Sequence, residues 1–120
     1  MSECNLVVAA VNVNGELNMT PEARVKNEIK KMLDTHEVYY FMPAANGYGR
    51  AGIPDIVCCI NGCFLAIECK AGKGKTTALQ DRELIAIHKA GGSAVVINET
   101  SLHTLQGIIT DIKQRTTTWT

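Results

Sequence analysis

The sequence predicts a single α/β domain built on a mixed β-sheet with helices packed against it. Apolar residues recur first at helical spacing, then in three short strand-like runs, and then as a helix, a strand and a helix. An Asn61-Gly62 step between two apolar runs marks a hairpin, so part of the sheet is antiparallel. The chain has 120 residues, 46% of them hydrophobic and 20% charged, which is typical of one globular domain and excludes disorder, collagen and coiled coil.

The first helix has clear boundaries. Thr20 can cap its N-terminus, Pro21 suits the first helical position, and Glu22 adds an acid to the first turn. Apolar residues then recur at helical spacing, so we expect a helix from about Pro21 to Thr35. Ahead of it, the apolar run Leu6–Val13 ends at an Asn-Gly turn signal, and residues 1–19 are expected to add a strand or hairpin.

Three strands are expected next. Glu37–Met42 is rich in Tyr and Phe, and after a glycine-rich loop the runs Asp55–Ile60 and Cys63–Cys69 flank the Asn-Gly turn. Both of these runs are apolar at nearly every residue, which is typical of central strands that are covered on both faces. We therefore expect helices on each side of this hairpin.

A helix, a strand and a helix complete the chain. Thr76 or Thr77 can cap a helix that stops at glycines 91 and 92, and its apolar face includes Leu79 and Ile85. Residues 93–98 are expected to form a short buried strand, and Ser101 is expected to cap a last helix reaching about residue 114. The tail 115–120 is expected to fray.

Charge and cysteine content narrow the functional classes. The twelve basic and twelve acidic residues balance, but residues 69–91 hold five basic residues against two acidic ones, so the positive charge is local. The five cysteines are odd in number and form no C-x-x-C pair, which indicates reduced, buried thiols in a cytoplasmic protein. We expect no membrane partner, because no apolar run approaches about 20 residues and no signal peptide is recognisable.

The register of the hairpin brings two carboxylates together. With a two-residue turn at 61–62, Ile60 faces Cys63, and the same register places Asp55 opposite Glu68. Lys70 follows Glu68 by two residues and projects from the same face. Like charges opposite each other at the end of a buried hairpin disfavour folding. Mg²⁺ or Mn²⁺ would remove the conflict, and an ordinary set of strand-end charges is the competing interpretation.

The motifs around these residues resemble the PD-(D/E)xK nuclease superfamily, which has Pro-Asp, a short hairpin and then E-x-K, here Pro54-Asp55 and Glu68-Cys69-Lys70. The preceding Gly52, the short spacing, Gln80 ten residues after the lysine and Glu22 on the first helix resemble more narrowly the VRR-NUC family. Its stand-alone members are often small phage proteins related to Holliday-junction resolvases. The resemblance covers about residues 20–98 and implies a restriction-endonuclease-like αβββαβ core, with a central mixed sheet flanked by helices.

The resemblance also implies a catalytic set. Its members are Asp55, Glu68, Lys70, Gln80 and Glu22. By resemblance, Asp55 and Glu68 bind the metal together with the backbone carbonyl of Cys69, and Glu22 contacts metal or water from the first helix. Lys70 would orient or polarise the attacking water, and Gln80 would help to position water or metal.

Basic and aromatic residues around this set are candidates for DNA binding. They are Tyr48 and Arg50 in the glycine-rich loop, Lys73 and Lys75 after the E-x-K motif, and Arg82 on the second helix. A solvated loop is the alternative for each lysine, and a plain connector is the alternative for the glycine-rich loop.

The sequence thus predicts a Mg²⁺- or Mn²⁺-dependent DNA endonuclease, and the resemblance implies branched or four-way junction DNA as its substrate. A homodimer is expected because a junction has two strands to cut symmetrically, and the resemblance places it in a bacterial or phage-infected cytoplasm. Two alternatives stay open. One is an inactive nucleic-acid-binding module on the same fold, and the other is a P-loop nucleotide-binding protein suggested by Gly74-Lys75-Thr76, although position 69 is cysteine where that motif needs glycine.

Overall fold

In the described part of the chain, three helices flank a four-stranded mixed sheet, which confirms the predicted α/β class. The computed structural model describes residues 19–44 and 49–115, so the predicted strand or hairpin in residues 1–18 and the tail from 116 onwards lie outside the described residues. The elements are α1 (Pro21–Thr35), β1 (Tyr39–Phe41), β2 (Ile56–Ile60), β3 (Cys63–Cys69), α2 (Ala78–Lys89), β4 (Ser93–Ile97) and α3 (Leu102–Gln114). No helix in the described ranges is long and apolar enough to cross a membrane.

Local sequence signals determine helix α1. The side chain of Thr20 accepts a hydrogen bond from the backbone N–H of Ala23 at 3.1 Å, and Pro21 occupies the first helical position. Val25, Ile29 and Leu33 lie on one side of the helix and are buried. The helix has the boundaries that the sequence predicts.

The Asn61-Gly62 turn sets the register of β2 and β3. Both residues have positive φ, 50° and 81°, which Asn and Gly tolerate better than other residues do. Ile60 pairs with Cys63 and Ile56 pairs with Ile67, so the predicted register is confirmed within the ladder. Strand β1 adds to β2 in antiparallel orientation and β4 adds to β3 in parallel orientation, giving the strand order β1-β2-β3-β4.

Asn61 also holds the end of α3. Its side-chain Nδ2 donates to the carbonyl oxygens of Ile112 at 3.1 Å and Arg115 at 2.7 Å. We expect Asn61→Ala to lower the free energy of unfolding by about 2–4 kcal/mol, because it loses these bonds and strains a residue with positive φ. Asn61→Gly loses the bonds without the strain and should cost roughly half as much. Urea denaturation measures both changes, and equal losses would contradict this account of the turn.

The main core lies between one face of the sheet and helices α1 and α3. The buried residues of both helices join one cluster with the alternate strand residues that face them. The strand members are Ile56, Cys58, Ile60, Leu65, Ile67, Cys69 and Ile97. Helix α2 lies on the opposite face, mainly against β4, and its buried residue is Glu83 rather than an apolar one.

The described residues cover the second face of the sheet only in part, which corrects, for this part of the chain, the expectation of helices over both sides of the hairpin. Tyr39, Cys59 and Phe64 lie side by side across β1, β2 and β3, and all three are exposed because α2 covers mainly β4. The prediction of buried thiols is therefore wrong for Cys59. The predicted apolar face of α2 is wrong at Leu79 and Ile85, which are exposed.

Candidate active site

Asp55 lies immediately before β2, at the end of the hairpin opposite the turn. The ladder stops at the pair formed by Ile56 and Ile67, so the predicted backbone pair of Asp55 with Glu68 falls outside it. The residue before Asp55 is a proline, which has no N–H to extend a ladder. The side chain bridges the gap instead, because Oδ2 of Asp55 accepts a hydrogen bond from the Cys69 N–H at 2.8 Å.

Glu68 is a buried acid in the interior of the sheet. It lies on β3, pairs with Val96 of β4, and has 2% of its surface exposed. Burial is the largest cause that raises the pKa of Glu68, to about 7. The negative charge of Asp55 and a hydrogen bond with its carboxyl group also raise this pKa, while the positive charge of Lys70 lowers it. The two carboxyl groups therefore interact, and this interaction opposes a negative charge on both at once.

Lys70 and Gln80 converge on the same oxygen of Glu68. Nζ of Lys70 lies 3.6 Å from Oε2, and Nε2 of Gln80 donates to Oε2 at 2.9 Å. The local sequence orients Gln80. Thr77 caps α2, and the backbone N–H of Thr77 donates to Oε1 of Gln80 at 2.9 Å. The structure thus selects Thr77 over Thr76 as the cap and brings both predicted residues to the carboxylate pair.

The backbone of Cys69 faces Asp55. The N–H and C=O groups of one strand residue point to the same side of the strand. Because the N–H of Cys69 donates to Asp55, the carbonyl of Cys69 also faces the end of β2. Burial raises the pKa of the Cys69 thiol to about 12, which keeps the sulfur protonated. The carbonyl oxygen, rather than a thiolate, is therefore the atom that Cys69 can offer to a metal.

Helix α1 adds an acid near the pair. The charge of Glu22 raises the pKa of Glu68, so the two groups are close enough to interact, although Glu22 is exposed. Within residues 19–44 and 49–115, no three His, Cys, Asp or Glu side chains gather into a group that could hold a metal. Glu22 therefore does not complete a three-residue cluster with Asp55 and Glu68, and its role as a ligand stays a prediction.

Lys26 is a residue of this region that the sequence analysis missed. Its Nζ lies 3.7 Å from Oδ1 of Asp55. Lys26 follows Glu22 by four residues, so both lie on one face of α1. This spacing was the available signal, but using it required knowing which face of α1 meets the carboxylates.

The loop that carries the two predicted lysines is tied to the residues that follow β4. Lys73 and Lys75 are exposed on the loop after β3. The N–H of Gly72 in this loop donates to both carboxylate oxygens of Glu99 at 2.9 Å, which ties the loop to the residues following β4. Glu99 was not predicted, and contact of the two lysines with DNA stays a prediction.

The other predicted DNA-binding residues are arranged differently. Arg82 is exposed and follows Gln80 by two residues, about 200° around the helix axis, so it points away from the carboxylates. Nη2 of Arg50 donates to Oε1 of Glu83 at 2.8 Å, which links the glycine-rich loop to a buried acid that the sequence analysis did not single out. Tyr48 lies outside the described residues.

The site suits a hard divalent cation. Asp55 and Glu68 offer two carboxylates whose mutual repulsion a cation relieves, and the carbonyl of Cys69 adds a third oxygen. Mg²⁺ keeps several water ligands in protein sites and needs few protein oxygens, so a pair of carboxylates is sufficient. The arrangement can therefore hold Mg²⁺ or Mn²⁺ next to the ammonium group of Lys70.

Comparison with known protein families found no matching family, and comparison with curated proteins found no matching sequence. The functional interpretation therefore depends on the geometry of the carboxylate pair and on the motifs that surround it.

Proposed function

We propose that this protein is a Mg²⁺- or Mn²⁺-dependent endonuclease that hydrolyses DNA phosphodiester bonds. The proposal is carried by the grouping of two acids and a lysine at one end of the hairpin. Asp55 accepts a hydrogen bond from the Cys69 N–H at 2.8 Å, next to the buried Glu68, and Nζ of Lys70 lies 3.6 Å from Oε2 of Glu68. Folding alone disfavours two acids in this position. Phosphodiester hydrolysis accounts for them, because that reaction uses a metal held by carboxylates beside a positive side chain.

The residues of the site have different roles in the proposed reaction. Asp55, Glu68 and the Cys69 carbonyl would hold the cation, which when bound neutralises charge on phosphate oxygens and lowers the pKa of water. Lys70 orients the attacking water and adds positive charge where the transition state becomes more negative. Gln80 donates to Glu68 and so acts as a positioning residue for that carboxylate.

The arrangement of the elements supports the finer fold assignment. A helix, three strands, a helix and a strand precede α3, and the motif residues lie at the ends of β2 and β3, as expected for a restriction-endonuclease-like αβββαβ core. By its resemblance to the VRR-NUC family, the protein would cut branched or four-way junction DNA. It would act as a homodimer in the cytoplasm of a bacterial or phage-infected cell.

The start of α2 favours a nuclease over a P-loop protein. A P-loop offers the N–H groups at the start of a helix to a phosphate. In this protein, the N–H of Gln80 donates to the Thr77 side chain, and the N–H of Thr77 donates to the Gln80 side chain. Those two donors are already engaged, which leaves the inactive binding module as the main alternative.

Cleavage of a DNA panel tests the proposal. Linear, flapped, splayed and four-way DNA are incubated with the protein in Mg²⁺, Mn²⁺ or EDTA. We expect cleavage with metal, none with EDTA, and none by Asp55→Asn protein that retains wild-type thermal melting. DNA bound but left intact with both metals would identify an inactive binding module. The absence of both binding and cleavage would contradict the proposal.

A further inference from the structure

Lys26 and Asp55 lie side by side in the wall of one cavity. Nζ of Lys26 is 3.7 Å from Oδ1 of Asp55, and 35% of the Lys26 side chain is exposed. Lys26 and Asp55 both line the cavity, which has a volume of about 750 Å³. This volume lies in the range of cavities that hold cofactors and other small molecules, so the space beside Asp55 can hold part of a substrate.

The lining of the cavity combines positive charge with an apolar wall. Lys26 and Arg50 supply the charge, and Met42, Ile53 and Pro54 supply apolar surface. The guanidinium group of Arg50 already donates to the buried carboxylate of Glu83 at 2.8 Å, so its charge is balanced within the protein. A nucleotide matches this lining, with a phosphate for an ammonium group and a sugar or base for the apolar wall.

The charges around Asp55 and Glu68 indicate when the ammonium group of Lys26 can bind an anion. Lys70 faces Glu68 and Lys26 faces Asp55, so two ammonium groups balance the two acids when both are ionised. A divalent cation held by the acids would replace Lys26 as the counter-charge of Asp55 and would leave the site positive. The ammonium group of Lys26 would then attract an anion in the cavity.

We propose that Lys26 binds a phosphate of the DNA strand that occupies this cavity, next to the phosphate held at the carboxylate pair. This inference rests on the proposed nuclease function and extends it, because Lys26 belongs to α1 and lies outside the Pro-Asp and E-x-K motifs. It also predicts the side of the site along which the substrate strand runs.

Three substitutions on α1 test this role. Lys26→Ala should raise KM for DNA about 10-fold or more and lower the slope of log kcat/KM against log salt by about one, as expected when one phosphate contact is lost. Lys26→Arg keeps the charge and should restore most of the affinity. Lys31→Ala is the matched control, because Lys31 is exposed on the same helix and pairs with Glu28 at 3.3 Å. It should behave like the wild type.

Metal affinity separates this role from a purely local one. Isothermal titration of Mn²⁺ should give Lys26→Ala an affinity at least as high as that of the wild type, because Lys26 and the cation compete for Asp55. A loss of Mn²⁺ affinity with unchanged KM and salt slope would show that Lys26 serves only Asp55 and would overturn the proposal. If the wild type cleaves DNA and the Lys26 and Lys31 variants behave alike, this inference is wrong while the nuclease function stands. If the wild type cleaves no DNA, both this inference and the proposed nuclease function are wrong.

Discussion

Replacing Glu68 by Gln should abolish DNA cleavage and, in the absence of metal, make the protein more stable relative to the wild type as the pH rises. Cleavage is expected to fall by about 10³-fold or more, because a neutral amide is a poor ligand for Mg²⁺ and no longer balances the cation. Gln can still accept the hydrogen bond from Gln80 and can donate to Asp55, as protonated Glu68 does. The substitution therefore removes a charge while preserving the local hydrogen bonds.

The relative stabilisation follows from the raised pKa of Glu68. This pKa moves from 4.5 to about 7 on folding, so in this interval the folded wild type keeps a proton that the unfolded chain has lost. The contribution of Glu68 to the free energy of unfolding therefore decreases from about pH 4.5 to about pH 7 and does not recover above pH 7. Gln does not ionise, so the variant escapes this loss. One pKa unit corresponds to about 1.4 kcal/mol, which makes the effect measurable.

Thermal melting in EDTA between about pH 5 and pH 8 measures this difference. Glu28→Gln is the control, because Glu28 is an exposed acid on α1, and its melting difference from the wild type should show no comparable trend. Adding Mg²⁺ at pH 8 should raise the melting temperature of the wild type but not that of Glu68→Gln. A melting difference that stays constant with pH would contradict the raised pKa and, with it, the conflict between the two acids.

Local chemistry explains which parts of the fold the sequence predicts well. Thr20 and Pro21 specify the start of α1 without help from distant residues. The Asn61-Gly62 turn likewise specifies the register of β2 and β3, because positive φ is needed at both positions. Where the fold depends on what covers a surface, the pattern of apolar residues is insufficient. Leu79 and Ile85 are apolar but exposed, although α2 packs against β4.

In the candidate site, too, local features can be predicted from the sequence, while contacts between distant elements cannot. Lys70 follows Glu68 by two residues at the end of β3, which predicts a shared face, and its Nζ lies 3.6 Å from Oε2 of Glu68. Gln80 was expected at the site only through the family resemblance, and the structure adds the capping box with Thr77 that orients its side chain. Lys26 comes from a different element, and its position beside Asp55 depends on how α1 packs on the sheet. Helix periodicity alone does not specify that packing.

Gly52→Ala should damage both the fold and the site, because Gly52 packs directly against the first turn of α2. A Cβ there would lie 2.5 Å from main-chain atoms of Leu79 and 2.9 Å from the nitrogen of Gln80, and φ at Gly52 is 85°. Main-chain atoms of a helix cannot move aside as a side-chain tip can, so the loop or the start of α2 must shift. We expect the free energy of unfolding to fall by about 2–4 kcal/mol. Cleavage should fall about 10²-fold, because Gln80 no longer aligns Glu68.

Gly49→Ala separates this effect from a general sensitivity of the loop. A Cβ at position 49 meets no atom of the described residues within 4 Å, so melting and cleavage should stay close to those of the wild type. Gln80→Ala should lower cleavage with a smaller loss of stability, because it removes the hydrogen bond to Glu68 without a backbone clash. Cleavage is compared at temperatures where every variant is folded, so that lost stability does not lower the rate. Wild-type cleavage by folded Gly52→Ala would show that the approach of this loop to α2 does not position Gln80.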